Sequence, residues 1–357
     1  MSPVNAPNLR GMLTHNPLKF ILFLAMVGLV MFLFILDILT GPVNIPLNET
    51  LHILTGGDSS NPVWQTIVSD FRLPKAITAL LAGAALSVSG LQMQTVFRNP
   101  LAGPYVLGIS SGASLGVALV VLGFSSLFIR GSINPLSVWV QIVAAWIGAA
   151  AVMVLIMAVS LRVRDIMTIL ILGVLFGSAA TAIVNILQYF SHQSHLKAFM
   201  VWSMGSLGNV TKDQLVMLAV TVMAGLLLAI LSGKLLNVLL LGESYAKSMG
   251  LNLMVARAVI FISTSILTGS VTAFCGPIGF IGIAVPHLTR MIFKTADHRL
   301  LIPAVILAGG IVMLLSDLLS QIPGSDSVLP INSVTALIGI PVVIWIVFRN
   351  LKISAIK

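Results

Sequence analysis

Gly108-Ile109-Ser110-Ser111-Gly112 spells G-x-S-x-G, the pattern that raises a serine nucleophile on a strand-to-helix elbow. That chemistry needs an acid and a histidine to complete it, and His287 is the one histidine at a matching depth. The flanking residues read as transmembrane helix, so the pattern carries no hydrolase. His192 and His195 are three apart, as are His287 and Arg290. Two histidines alone are a weak zinc signal and read better as an exposed loop; His287 has no carboxylate or thiol neighbour. Asp37 and Asp317 fall near the ends of apolar runs, which leaves no mid-membrane carboxylate for a proton or sodium relay. Gly233-Lys234 lacks both the upstream glycine and the following Ser or Thr of a phosphate-binding loop. No catalytic residue, metal or cofactor is expected, and the chain cannot hydrolyse ATP by that route.

The elements that hold these residues are apolar. Hydrophobic residues make up 58% of the 357 and charged residues 8%, with a mean hydropathy of +1.08. A soluble domain carries about 25% charged residues. Cys275 is the single cysteine, which excludes an internal disulfide. The net charge of +9 comes without a basic run, so nucleic acid is not a partner. Apolar runs predict about ten transmembrane helices, near 20–39, 75–96, 104–124, 137–160, 167–190, 214–232, 255–275, 278–293, 300–320 and 333–349. The chain reads as one all-α polytopic membrane domain over 1–357. Its first run is a retained span, because no small-residue cleavage site follows it.

With a cytoplasmic N-terminus, fourteen of the nineteen Lys and Arg residues fall inside. Arg72, Lys75, Arg130, Lys197 and Lys212 fall outside. This is the bias that sets orientation in membranes. Both termini are then cytoplasmic and the number of spans is even, which resolves 255–293 into two spans. Residues 1–200 and 201–357 share no residue-level similarity that would mark an inverted repeat.

Four segments interrupt the apolar pattern. Arg98 to Gly116 packs two prolines and four glycines into nineteen residues, and irregular backbone at membrane depth is tolerated only inside protein or along a watery cavity. Phe71-Arg72-Leu73-Pro74-Lys75 puts two cations at an outer helix start, suited either to a partner's carboxylates or to lipid headgroups. Leu241 to Leu251 suits a short helix stopped by Gly250. Such a helix can lodge in a partner's groove, though a plain connector fits equally well. Gly276-Pro277-Ile278-Gly279 is a second break, with Pro286 inside the next span.

Arg72 to Lys75, Gly83 to Gln94, Arg98 to Gly116, Gly242 to Gly250, Gly276 to Arg290 with Asp297-His298-Arg299, and Val334 to Pro341 occur in that order over nearly the whole chain. Together these blocks resemble the FecCD-type permeases of binding-protein-dependent ABC importers, which carry ferric siderophores, haem or vitamin B12. The resemblance implies the type II importer fold in an inner (plasma) membrane. It also implies a second permease subunit, identical or paralogous, around a shared pathway. Two ATPase subunits would lie beneath, and a soluble substrate-binding protein above. It assigns ATPase coupling to a cytoplasmic loop at about 233–254, with Gly242, Glu243, Ala246 and Gly250. The cytoplasmic gate falls to Asn99, Leu101, Ile166 and Met167, and binding-protein docking to Arg72 and Lys75.

Two departures bear on docking. Lys75 stands where the family usually has Arg, which keeps the charge and loses the fork. Ser320-Gln321-Ile322-Pro323 stands where another outer Arg is common. The expected activity is inward movement of an iron(III) siderophore, haem or cobalamin, driven by a separate ATPase. The alternative is a stand-alone secondary transporter or channel for a small solute, which would need ionisable residues at mid-membrane.

Overall fold

The computed structural model describes residues 17–59, 61–123, 134–163, 165–321 and 328–354, with side chains to 348. Arg10, Arg130, Arg164, Lys357 and the Ile322-Pro323 step lie outside the described residues, as do the side chains of Arg349 and Lys352. The described chain is nearly all helix, with one isolated bridge between Gln321 and Val328. Among the described residues, eight helices are long and apolar enough to cross a membrane, and two shorter apolar helices accompany them.

In chain order the helices are α1 Pro17–Leu39, α2 Leu47–Leu54, α3 Pro62–Val96, α4 Ile109–Gly123, α5 Val138–Arg162, α6 Ile166–Tyr189 and α7 Gln193–Ser203. Then follow α8 Lys212–Leu231, α9 Gly233–Leu240, α10 Glu243–Ser248, α11 Leu253–Cys275, α12 Ile281–Phe293, α13 His298–Ser320 and α14 Ile331–Ser354. The two shorter apolar helices are α4 and α12. Each starts at one of the Gly/Pro breaks, so the spans expected over 104–124 and 278–293 are shorter than drawn. Residues 255–293 do divide into two helices.

The second span begins earlier than its apolar run suggests. Asn61 caps it by accepting from the Val63 amide at 2.9 Å, and Pro62 occupies the first turn, where a missing N–H costs nothing. Pro74 therefore lies inside α3, not at its start. A π-turn over Ile67–Arg72 precedes it and absorbs the donor that proline lacks. The expected loop around His192 and His195 is likewise helical from Gln193, with His192 at the N-cap.

From Ala82 to Val96 α3 is buried along every face. Its small residues let neighbours come to backbone contact, which drives helix association where lipid gives no hydrophobic push. A Cβ added at Gly90 would sit 1.8 Å from the Gly282 carbonyl on α12. Gly112 of α4 meets Gly148 of α5 in the same manner. Several polar residues inside the bundle are paired, while Ser87 Oγ and Thr268 Oγ1 are buried without a hydrogen-bond partner among the described residues. Gln92 donates to Ser263 Oγ at 3.0 Å and accepts from Thr264 Oγ1 at 2.8 Å, while Ser263 donates to the Gly225 carbonyl at 3.0 Å. Three helices are thus joined, with the Gln92, Ser263 and Thr264 side chains partnered.

Candidate functional site

Functional candidates collect at the two ends of the bundle. At one end α9 closes and Gly242 opens a short helix, with φ +119°, a value reserved for glycine. Two bonds stop α10. The Leu251 amide donates to the Ala246 carbonyl at 3.0 Å and the Gly250 amide to the Lys247 carbonyl at 2.9 Å. With Gly250 at φ +83° this is a Schellman stop, so a helix of only six residues is held at both ends. Ala246 is fully buried within the chain. Glu243 lies 2.5 Å from the Arg257 guanidinium of α11, which is itself buried.

The gate candidates lie at the same end. The Asn99 side chain accepts from the Leu101 amide at 2.9 Å, and the Asn99 carbonyl accepts from Ala102 at 3.1 Å. These bonds turn the chain sharply after α3. Asp165 caps α6 by accepting from the Thr168 hydroxyl at 2.7 Å and the Thr168 and Met167 amides at 2.9 and 3.4 Å. The bonds from Thr168, chiefly its hydroxyl, hold the Asp165 carboxyl below the usual carboxylate range. An open cleft of about 770 Å³ is lined by Phe97, Arg98, Ile166, Met167, Leu241 to Tyr245 and Ser248. Ile166 and Met167 therefore line the same space as Gly242 and Glu243. Asn99, Leu101, Ala246 and Gly250 are not among its walls.

At the other end the two docking candidates turn inward. Arg72 is 7% exposed and donates to the Ile38, Leu39 and Val43 carbonyls at 3.0, 3.0 and 2.5 Å. It thereby caps the C-terminus of α1, where the last carbonyls have no partner of their own. Lys75 pairs with Asp317 of α13 at 2.7 Å. Gln321 Nε2 bridges toward Asp37 and Asp317 at 3.3 and 3.5 Å. All five side chains border a cavity of about 550 Å³, and Lys212 pairs with Asp70 nearby on the surface at 2.5 Å.

A buried network that residue types alone did not single out lies between these ends, nearer the first. Asn237 of α9 donates to Asp297 Oδ1 at 2.6 Å, which fixes its amide and turns Oδ1 toward His298. That oxygen accepts from the His298 amide and lies 2.8 Å from Nδ1, so Nδ1 carries the proton. His298 Nε2 meets Thr95 Oγ1 at 2.8 Å, and Arg290 donates to Thr95 and Gln94 at 3.1 and 3.4 Å. The clustering of Gln94, Arg290 and Asp297-His298 in matched blocks was the only advance signal, and Asn237 gave none.

Ser110 lies in the first turn of α4, after a left-handed Gly108, and meets Thr272 Oγ1 at 3.4 Å. The cavity beside it, about 420 Å³, has no His, Asp, Glu or Cys in its walls. The requirements of a nucleophile elbow are unmet. Among the described residues no three His, Cys, Asp or Glu side chains gather to hold a metal.

Known proteins match this architecture over most of its length. Residues 29–349 fit the model of the FecCD transport family. The hemin transport system permease HmuU of Yersinia pestis is 34% identical over 306 residues, covering 85% of this chain and 89% of that protein. The vitamin B12 import system permease BtuC of Salmonella typhi is 36% identical over 291 residues, 81% of this chain and 84% of that one. A solved metal-chelate type ABC transporter in an inward-facing conformation superposes with a TM-score of 0.79 at 27% identity. It covers 92% of this chain and 99% of that one. Eight long spans with two short broken ones, in the order and packing of that structure, place the chain in the FecCD transport family as a multi-pass permease of the type II ABC importer fold.

Proposed function

We propose that the chain is the membrane-spanning subunit of an ATP-driven importer that moves a metal chelate into the cytoplasm. The cargo class is iron(III) siderophore, haem or cobalamin, in keeping with the names of its relatives. The observation that carries the reading is the shared cleft, whose walls include Ile166 and Met167 together with Gly242 and Glu243. A movement of α10 would reach the gate without passing through the core. Two ATPase subunits would dock on the α10 end, which is then cytoplasmic along with both termini. A second permease subunit, identical or paralogous, would complete the pathway, and the chain itself would perform no chemistry.

A substrate-binding protein would dock at the end bearing Arg72 and Lys75. Lys75 keeps one-fifth of its side chain exposed and is the more accessible of the two docking candidates. Arg72 adds positive charge from beneath while holding α1. The buried carboxylates Asp37 and Asp317 support this reading over a stand-alone secondary transporter. They lie at this end, tied to Lys75 and Gln321, not at mid-span.

Proteoliposomes with the chain, its ATPase and its binding protein would be offered a ferric siderophore, haemin and cobalamin in turn. Accumulation of one of them identifies the cargo. Accumulation of none of the three overturns the chelate reading.

A further inference from the structure

Arg98 is the last residue before the gate turn, and its backbone sits at φ +48°. That left-handed setting disfavours a side chain and persists only where the surroundings over-determine it. Here the Schellman stop of α3 sets it: the Asn99 amide donates to the Gln94 carbonyl at 3.2 Å and the Arg98 amide to the Thr95 carbonyl at 3.4 Å. The Arg98 side chain reaches beyond that turn. Its guanidinium donates to the Leu239 carbonyl at 3.2 Å, in the last turn of α9. It also lies against Gly242, where an added Cβ would come within 3.1 Å of Nη2. The Gly242 amide donates to the same Leu239 carbonyl at 3.2 Å. One carbonyl is thus shared by the gate turn and the entry to α10.

Contacts along α10 make it one compact unit with the start of α11. Glu243 is held by Arg257, Ala246 is buried, and the Schellman stop closes the helix. A force on α10 therefore moves a short rigid body against Gly242. Arg98 is the side chain from the Asn99–Leu101 turn that meets that body, and it also walls the cleft.

We propose that Arg98 is a positioning residue for transport. It ties the displacement of α10 to the backbone of Asn99 and Leu101, and so to the opening of the gate. This rests on the reading of Gly242 to Gly250 as the ATPase-coupling segment. The bond from Arg98 to Leu239 is the link: when α10 shifts, either that bond breaks or the turn follows.

The test uses the complete importer in proteoliposomes, with Arg98→Met and Arg98→Lys. Substrate moved per ATP hydrolysed should fall about tenfold in Arg98→Met, the size of a typical coupling energy, with partial rescue by Arg98→Lys. Spin labels at Tyr245 and at Leu101 report the two ends of the link. In the wild type, nucleotide should shift both; in Arg98→Met it should shift the Tyr245 label alone. An unchanged ratio, or a Leu101 label that still responds in Arg98→Met, overturns the role of Arg98. A Tyr245 label silent in the wild type overturns the coupling reading as well. If Arg98→Met fails to assemble, Arg98→Lys decides: a wild-type ratio with a lengthened or lost Leu239 bond contradicts the link, and a reduced ratio supports it.

Discussion

Lys75 and Asp317 meet at 2.7 Å between α3 and α13, and Asp317 is almost fully buried. Asp37 lies beside them, joined to Asp317 through the Gln321 amide. Removing one member of a buried pair leaves an uncompensated charge, which costs more than the pair contributes. Lys75→Met should lower stability by about 2–4 kcal/mol, discounted for its partial exposure. Asp317→Asn should lose less, because its amide oxygen can still accept from Lys75. Thermal unfolding in detergent measures both, and a melting point unchanged in Lys75→Met would contradict the arrangement.

Arg72 is a structural cap for α1 before it is anything else. A lysine cannot span the three carbonyls that its fork reaches. Arg72→Lys should therefore destabilise the fold by about 1–3 kcal/mol. A variant that melts like the wild type but binds the binding protein more weakly would show instead that the guanidinium is available to a partner.

Gly90 allows α3 and α12 to touch backbone to backbone. Gly90→Ala would place a methyl 1.8 Å from the Gly282 carbonyl, so α12 must move away. Overpacking of this kind costs about 1–3 kcal/mol. Low yield and a lowered melting point are expected, whereas an alanine variant of normal stability would show that this contact is not as close as drawn.

Asp165 gives the α6 cap a pH dependence. Its carboxyl is depressed in the folded state by bonds from Thr168, so the cap contributes stability above the ordinary carboxylate value. That contribution is lost as pH falls through the lowered folded-state value. Amide exchange at Met167 and Thr168, corrected for intrinsic rates, should accelerate over that acid range. Asp165→Ala should exchange fast throughout. Protection that is the same in acid and at neutrality would remove the cap from the account.

The order of spans and breaks was legible because lipid imposes it. Runs of apolar residues, and the Gly/Pro interruptions before Ile109 and Ile281, survive translation into helices nearly unchanged. The direction in which a cation turns is not written in its neighbours. Arg72 and Lys75 read as surface charges because their partners, the α1 carbonyls and Asp317, are remote in sequence. Pro74 read as a helix start, since nothing in a residue pattern announces a π-turn able to accommodate it. Residues 47–54 form a helix beyond α1 that no apolar periodicity marked. Asn237 is an ordinary polar residue until Asp297 and His298 are folded onto it. Even the gate and coupling residues, placed by resemblance, acquire their relation only through the cleft whose walls include both Met167 and Glu243.

We propose that transport by this chain is driven through its α10 end by an ATPase. It is tested most directly by chelate uptake into proteoliposomes carrying the permease, ATPase and binding protein, with ATP inside or withheld. Uptake that requires ATP, and that stops when Glu243 and Ala246 are replaced by Arg and Trp in a protein that still folds, is the predicted result. Uptake that proceeds equally without ATP would contradict it.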